Sequence, residues 1–356
     1  MADDVTQNLI FDSSHDEVTF SSPRDGVVHV RGKKMTVTPV FYAYWRFAAE
    51  RQRIFYRRLQ RIGTHRFTED PVLAQYKFTN AYRASDRVSQ YLIRNVIYRD
   101  DLPNDAANLF YRIILFKLFN KTQTWQYLEE SFGQLIWEAF DFSKFAKALT
   151  DRMASGERIY SAAYIMPSAR SAFGCELKHQ NHLRLIEYLM AHQYPARLRA
   201  CKSMMQAFEL LRSAPSIGPF LAYQFSIDLN YSSLTNFSES EFVIAGPGSL
   251  DGIDKCFRNA REHSPEDIIQ YMYEHQDQHF SEQKLNFLSL WGRPLQLIDC
   301  QNVFCEISKY ARVAFPEFAG IAGRTRIKQK FSEGAPLPPP WYPPDWGLNA
   351  RIQIGV

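Results

Sequence analysis

The chain has 356 residues, 46% hydrophobic and 15% aromatic, with a formal charge of +4 and a pI near 8.7. That composition excludes a disordered or collagen-like chain and leaves a globular protein of one large domain or two modest ones. The charge permits a polyanionic partner without demanding one, so where the cations sit matters more than their sum.

In residues 1–38, short apolar runs at 18–20, 27–30 and 35–37 alternate around Gly26 and Gly32, which predicts a small β-hairpin appendage. A long helix begins near Pro39, with Phe41, Trp45, Ala48, Phe55, Leu59 and Ile62 on one face. Arg46, Glu50, Arg53, Arg57 and Arg61 lie opposite. Seven arginines against one acid fall between Arg46 and Arg66. Such a stripe tracks a phosphate backbone, or is a solvated face paired with acids elsewhere. Next, Asn80, Arg83 and Asp86 recur at steps of three. On a helix starting near Thr79 they share a flank and form a donor and acceptor set suited to a base edge. Capping by Thr79 or Asn80, with a local Arg83–Asp86 pair, is the alternative.

Helices are expected over 106–119, 124–133, 142–155, 178–193 and 195–212, while 135–140 and 159–166 are short strands or buried helical turns. From Leu210 to Leu229 the pattern is a helix, a break at Pro215 and Gly218, and a second helix resuming at Phe220. In such a helix-hairpin-helix, Ser216, Ile217 and Gly218 bring backbone N–H groups at the start of the second helix to a phosphate. The hairpin then holds a nucleic-acid backbone without reading its sequence. An ordinary turn between antiparallel helices fits the same residues.

Gly246 and Gly248 around Pro247 open a further helix, expected to reach about Glu262, and make a second backbone site for a phosphate or a sugar. Over 295–310, Asp299, Asn302, Glu306 and Lys309 form one stripe of an otherwise apolar helix. Polar groups so placed must pair with one another or line a cavity, because unpaired burial costs kilocalories each. Arg324, Arg326, Lys328 and Lys330 follow with no acid among them, on an extended segment that offers one face to phosphates or is a solvated end. Residues 336–344 hold six prolines with Trp341 and Tyr342, a polyproline-like wrap. The expected division is an appendage at 1–38, a helical domain at 39–330 and the wrap at 331–356.

Cys175, Cys201, Cys256, Cys300 and Cys305 are odd in number and widely spaced, which points to reduced thiols in a cytoplasm. No metal quartet is readable, and neither metal nor cofactor is expected. An acidic start without an apolar run, and no stretch of about 20 apolar residues, predict neither a signal peptide nor a membrane span. Nothing in the sequence sets the oligomeric state.

Four separated stretches carry a resemblance over about residues 40–330: Phe-Thr-Asn-Ala-Tyr-Arg-Ala-Ser-Asp-Arg at 78–87, Ile217-Gly218 with Asp228, Gly246-Pro-Gly248 with Gly252, and Asp299-Cys-Gln-Asn302 with Cys305-Glu-Ile-Ser-Lys-Tyr310. In that order they resemble the α-glutamyl/putrescinyl thymine pyrophosphorylases, which share a helical domain with phage 5-hydroxymethyluracil DNA kinases and are related to helix-hairpin-helix DNA glycosylases. The resemblance implies a mainly α, glycosylase-like fold. It also implies double-stranded phage DNA with modified bases as the partner, and a base flipped from the stack.

Its leading implication is a monofunctional DNA glycosylase that excises a bulky pyrimidine, such as glucosylated hydroxymethylcytosine, in anti-phage defence. A carboxylate would then stabilise the cationic sugar or activate water. Asp228, Glu241, Asp299 and Glu306 are the candidates, with Lys309 the first amine to consider. Asn80, Arg83, Asp86 and Asn302 would read the base, and Phe220, where bifunctional glycosylases carry a lysine, implies base release by water. A transferase that adds an amino acid or polyamine to pyrophosphorylated 5-hydroxymethyluracil, and a non-catalytic binder of modified DNA, are the alternatives.

Overall fold

Arg31 and Gly32 both take positive φ, 49° and 76°, and so close a tight turn between β1 (Val27–Val30) and β2 (Lys33–Thr36). The strands pair antiparallel, with Val27 opposite Thr36 and Val30 opposite Lys33. The computed structural model describes residues 26–60, 67–162, 166–334 and 336–353, so the expected run at 18–20 lies outside the described residues.

Everything after the hairpin is helix and connection. Thr38 Oγ1 accepts from Val40 N–H at 3.2 Å and caps α1 (Pro39–Leu59), whose proline sits where no helical bond is lost. Two short helices, α2 (Pro71–Gln75) and α3 (Arg87–Tyr91), follow, and α3 runs into a π-helical turn over Leu92–Ile97. The Asp105 carboxylate caps α4 (Ala106–Phe119), which ends on left-handed Asn120. Then come α5 (Thr122–Phe132), α6 (Phe142–Ala154), the short α7 (Arg170–Phe173) and α8 (Lys178–Ala191).

The helix expected over 195–212 is two helices, α9 (Tyr194–Ala200) and α10 (Met204–Arg212). Ser203 accepts from Gln206 N–H at 3.3 Å and so starts a new N-terminus where periodicity alone reads straight through. The segment 135–140 contains a single 3-10 turn, Trp137–Ala139, and residues 159–162 are neither strand nor helix. Beyond the Ser213–Gly218 turn lie α11 (Pro219–Asn230), α12 (Pro247–Cys256), α13 (Pro265–Glu274), α14 (Gln276–Glu282) and α15 (Leu297–Ala314). α12 stops short of the expected end near Glu262.

Two groups of helices result. In the first, α1, α12 and α13 pack on α15, and the hairpin docks beside them through Arg258 N–H to the Thr36 carbonyl at 3.0 Å. A Cβ on Gly252 would collide with the Phe304 carbonyl, so the glycine lets α12 lie directly on the α15 backbone. In the second group α4 packs against α8, α9 and α11, and α10 against α11. Trp45 in the first and Trp125 in the second are fully buried. A side chain of that size contributes on the order of 3 kcal/mol on burial. The turn Arg83–Ser85, a 3-10 turn, contacts α15 and sits between the groups.

Candidate functional site

Residues more than 200 positions apart come together where loop 78–86 crosses α15. α15 opens with a capping box: Asp299 Oδ2 accepts from Gln296 N–H at 2.9 Å. The other oxygen of Asp299 reaches across and accepts from Arg83 N–H at 2.8 Å. One turn on, Asn302 Nδ2 donates to Thr79 Oγ1 and to the Asn80 carbonyl, both at 3.1 Å. Another turn on, Glu306 Oε2 accepts from Thr79 N–H at 2.9 Å and pairs with Lys309 at 2.8 Å. The Lys309 ammonium lies 4.6 Å from the centre of the Phe78 ring. Asp299, Asn302 and Glu306 of the α15 stripe thus fasten the loop, while Lys309 pairs with Glu306.

Asn80, Arg83 and Asp86 do meet, but not on a helix. Thr79 and Asn80 lie in neither helix nor strand, Arg83 starts the 3-10 turn and Asp86 precedes α3. Asp86 Oδ1 accepts from Asn80 N–H at 2.7 Å, Asn80 Nδ2 donates to the Ser85 carbonyl at 2.7 Å, and buried Arg51 donates to Asn80 Oδ1 at 3.0 Å. Local side-chain to backbone bonds thus win over the helical spacing. Among the described residues, Asp86 Oδ2 and Asn302 Oδ1 accept no hydrogen bond. Loss of water pushes the Asp86 carboxyl up to about 7, and neighbouring Glu306 adds to this while Asn80 N–H, Arg51 and Arg83 oppose it. Asp299 is raised to about 7 by the same loss of water, against the two backbone N–H groups that it accepts. Both Asp299 oxygens are committed to structure. Asp86 keeps one free and titrates near neutrality, as a proton carrier must.

Behind this layer lies a second, fully enclosed cluster. Asp228 on α11 pairs with Arg83 at 2.9 Å and with Lys117 of α4 at 3.2 Å; the acid is 0% exposed and each cation 5%. Arg83 also donates to Gln224 Oε1 and to the Tyr231 hydroxyl, both at 3.2 Å, and Lys117 donates to Asn120 Oδ1 at 2.8 Å. Burial pulls the Lys117 ammonium down to about 8 against the pull of Asp228. Asp228 is thus a strut beneath Arg83. Lys117, Gln224, Arg51 and Thr79 belong to the site but were not expected there; a lone lysine in the apolar run 113–119 was the one signal for a buried partner.

The expected backbone sites lie on two neighbouring helix starts. Ser216 is left-handed, with φ 62°, and Ile217 is buried. A Cβ on Gly218 would meet nothing, whereas one on Gly246 would meet the Phe220 ring at 2.6 Å and one on Gly248 the Cys305 sulfur at 3.1 Å. Gly218 faces open space, and the other two glycines let α12 fit against Phe220 and α15. Glu241 is exposed, while its neighbour Glu239 is buried and pairs with Arg293 at 3.0 Å. On α1, Arg53 pairs with Glu50 at 3.0 Å and Arg57 donates to the Phe67 carbonyl at 3.0 Å; Arg61 lies outside the described residues. Arg324, Arg326 and Lys328 are exposed. Among the described residues no group of His, Cys, Asp or Glu is arranged to hold a metal, and no helix is long and apolar enough to cross a membrane.

Residues 38–320 match the family described as the 5-hmdU DNA kinase helical domain. The chain belongs to that family. It is 25% identical over 313 residues to the 5-hmdU DNA kinase of Bacillus phage SP10, an alignment that covers 83% of this chain and 48% of the relative. The chain thus spans about half the length of the curated relative it matches. No solved structure matches it. These findings overturn the expected glycosylase: a relative named as a DNA kinase is a group-transfer enzyme, not a hydrolase of N-glycosyl bonds. The argument from Phe220 for base release by water falls with it. The match shows the kinase helical-domain family and not the expected kinship with helix-hairpin-helix glycosylases, and likeness of fold would not carry chemistry along in any case.

Proposed function

We propose that this chain handles 5-hydroxymethyluracil-derived bases in DNA for group transfer, and that the incoming group is the amine of an amino acid or a polyamine. The amine nitrogen attacks the exocyclic methylene carbon of the pyrophosphorylated base, the carbon–oxygen bond breaks, and pyrophosphate leaves with the electron pair. Asp86 Oδ2 takes the amine proton. The observation that carries this is Asp86 itself: a carboxylate pushed up to about 7, with one oxygen that accepts no hydrogen bond among the described residues, on a loop fastened to α15 within the region matched to the family. Asn302 Oδ1 and Lys309, from the α15 stripe that fastens the same loop, would meet the base edge and the leaving phosphates.

The flipped base would be delivered by the α10–α11 pair, which in this proposal acts as a helix-hairpin-helix holding the DNA backbone at Ser216, Ile217 and Gly218, with Gly246 and Gly248 as the adjoining contact. The test is mass spectrometry of nucleosides from 5-hydroxymethyluracil DNA, pyrophosphorylated or not, after incubation with the protein and an amine. A base gaining the amine and losing pyrophosphate is expected, and Asp86→Asn should abolish the gain while leaving DNA binding intact. Phosphate gain in the presence of ATP would move the assignment to the kinase step, and unaltered bases would end it.

A further inference from the structure

Beyond residue 320, where the family match ends, residues 323–329 form no helix and 329–331 pair with 75–77, next to the site loop. Lys77 N–H donates to the Gln329 carbonyl at 3.1 Å and Phe331 N–H to the Gln75 carbonyl at 2.9 Å, with Tyr76 bridged antiparallel to Lys330. At its other end, Arg312 of α15 donates to the Arg326 carbonyl at 3.3 Å. Ile327 is buried, which turns Arg326 and Lys328 to the outside. Arg324, Arg326, Lys328 and Lys330 are all exposed, and none makes an ion pair among the described residues. Lys330, bridged opposite Tyr76, brings the row to within three residues of Thr79.

We propose that segment 324–330 is a phosphate track that holds one DNA strand and leads it to loop 78–86. Alternate residues of an extended chain stand about 6.6 Å apart on one face, a spacing close to that of successive phosphates along a strand. The track reads no sequence, because its cations meet only the backbone. Pinning by residues 75–77 fixes the cations before DNA arrives, so little ordering is lost on binding. This inference rests on the proposal that the chain acts on DNA, and it adds a contact outside the matched family region.

The test is binding of unmodified duplex DNA to the whole chain as a function of salt. In Arg326→Ala with Lys328→Ala, the slope of log affinity against log salt should fall by about 1.8, at about 0.9 for each phosphate that is no longer neutralised. Arg326→Lys with Lys328→Arg should restore it, and Lys33→Ala with Lys34→Ala, on strand β2 of the hairpin, should leave it unchanged. Wild-type binding with an unaltered slope in the Ala variant, or an equal fall in the hairpin variant, overturns the track alone. A wild-type chain that binds no DNA overturns the track and the proposed function together.

Discussion

Replacing Asp228 by Asn leaves Arg83 and Lys117 side by side with no anion between them. Both cations are 5% exposed and the acid 0%, so water cannot take its place. Breaking a buried pair in this way costs about 3–5 kcal/mol, a large share of the roughly 5–15 kcal/mol that holds a typical domain. The cost depends on pH. Lys117 already sits at about 8, below its usual 10.5, because burial outweighs the attraction of Asp228. A lowered folded value means that the unfolded chain keeps its proton longer, so wild-type stability rises from about pH 8 to about pH 10.5. Without Asp228 that rise starts lower, and the variant recovers part of its loss by releasing the Lys117 proton. Urea unfolding followed by circular dichroism at about pH 6 and about pH 9 should show the larger deficit at the acid end. Lys117→Met should flatten the alkaline rise, and combining it with Asp228→Asn should cost less than the two single losses added together. A loss below about 1 kcal/mol at the lower pH would refute the enclosed ion cluster.

Three further outcomes follow from particular contacts. Asp299 titrates at about 7 when folded, above its ordinary value of 3.8, so its contribution is complete at low pH and is lost as pH rises through about 7; Asp299→Asn should remove that slope from a stability profile and cost about 1–3 kcal/mol by spoiling one backbone acceptor. Gly252→Ala should destabilise by about 3 kcal/mol or more, since its Cβ would press on the Phe304 carbonyl and part α12 from α15; an unchanged melting temperature would contradict the close approach. Gly218→Val should leave the melting temperature alone, because a Cβ there meets nothing and φ is −80°, yet weaken DNA binding; retained affinity would make the hairpin only a turn.

Much of this was legible in the sequence, for identifiable reasons. The α15 stripe and the Asn80, Arg83 and Asp86 set were both visible as polar residues out of place among apolar ones, and burial obliged them to find each other. Strong periodicity gave the start of α1 and the whole of α4. What spacing hides is the short-range bond: Ser203 splits a helix, and Asn80 with Asp86 fold a loop where steps of three imply a helix. Lys117 and Gln224 were hidden because a buried polar side chain looks like any other until its partner on another helix is known. The chemistry was least legible, since excising a base and modifying one ask for the same flipped nucleotide and the same nearby carboxylate.

The C-terminal wrap has a consequence in time. Trp341 N–H donates to Gln90 Oε1 at 2.9 Å, Gln90 Nε2 returns a bond to the Trp341 carbonyl at 3.1 Å, and Tyr342 shares a 2.8 Å hydrogen bond with Ser85. These bonds span 251 and 257 positions of chain. Synthesis runs from the amino terminus, so Ser85 and Gln90 leave the ribosome long before their partners exist. Loop 78–86 therefore acquires its outer fastening only after residues 251 positions further along have been made, and a nascent chain bearing every residue of the site still holds Asp86 on an unfinished loop.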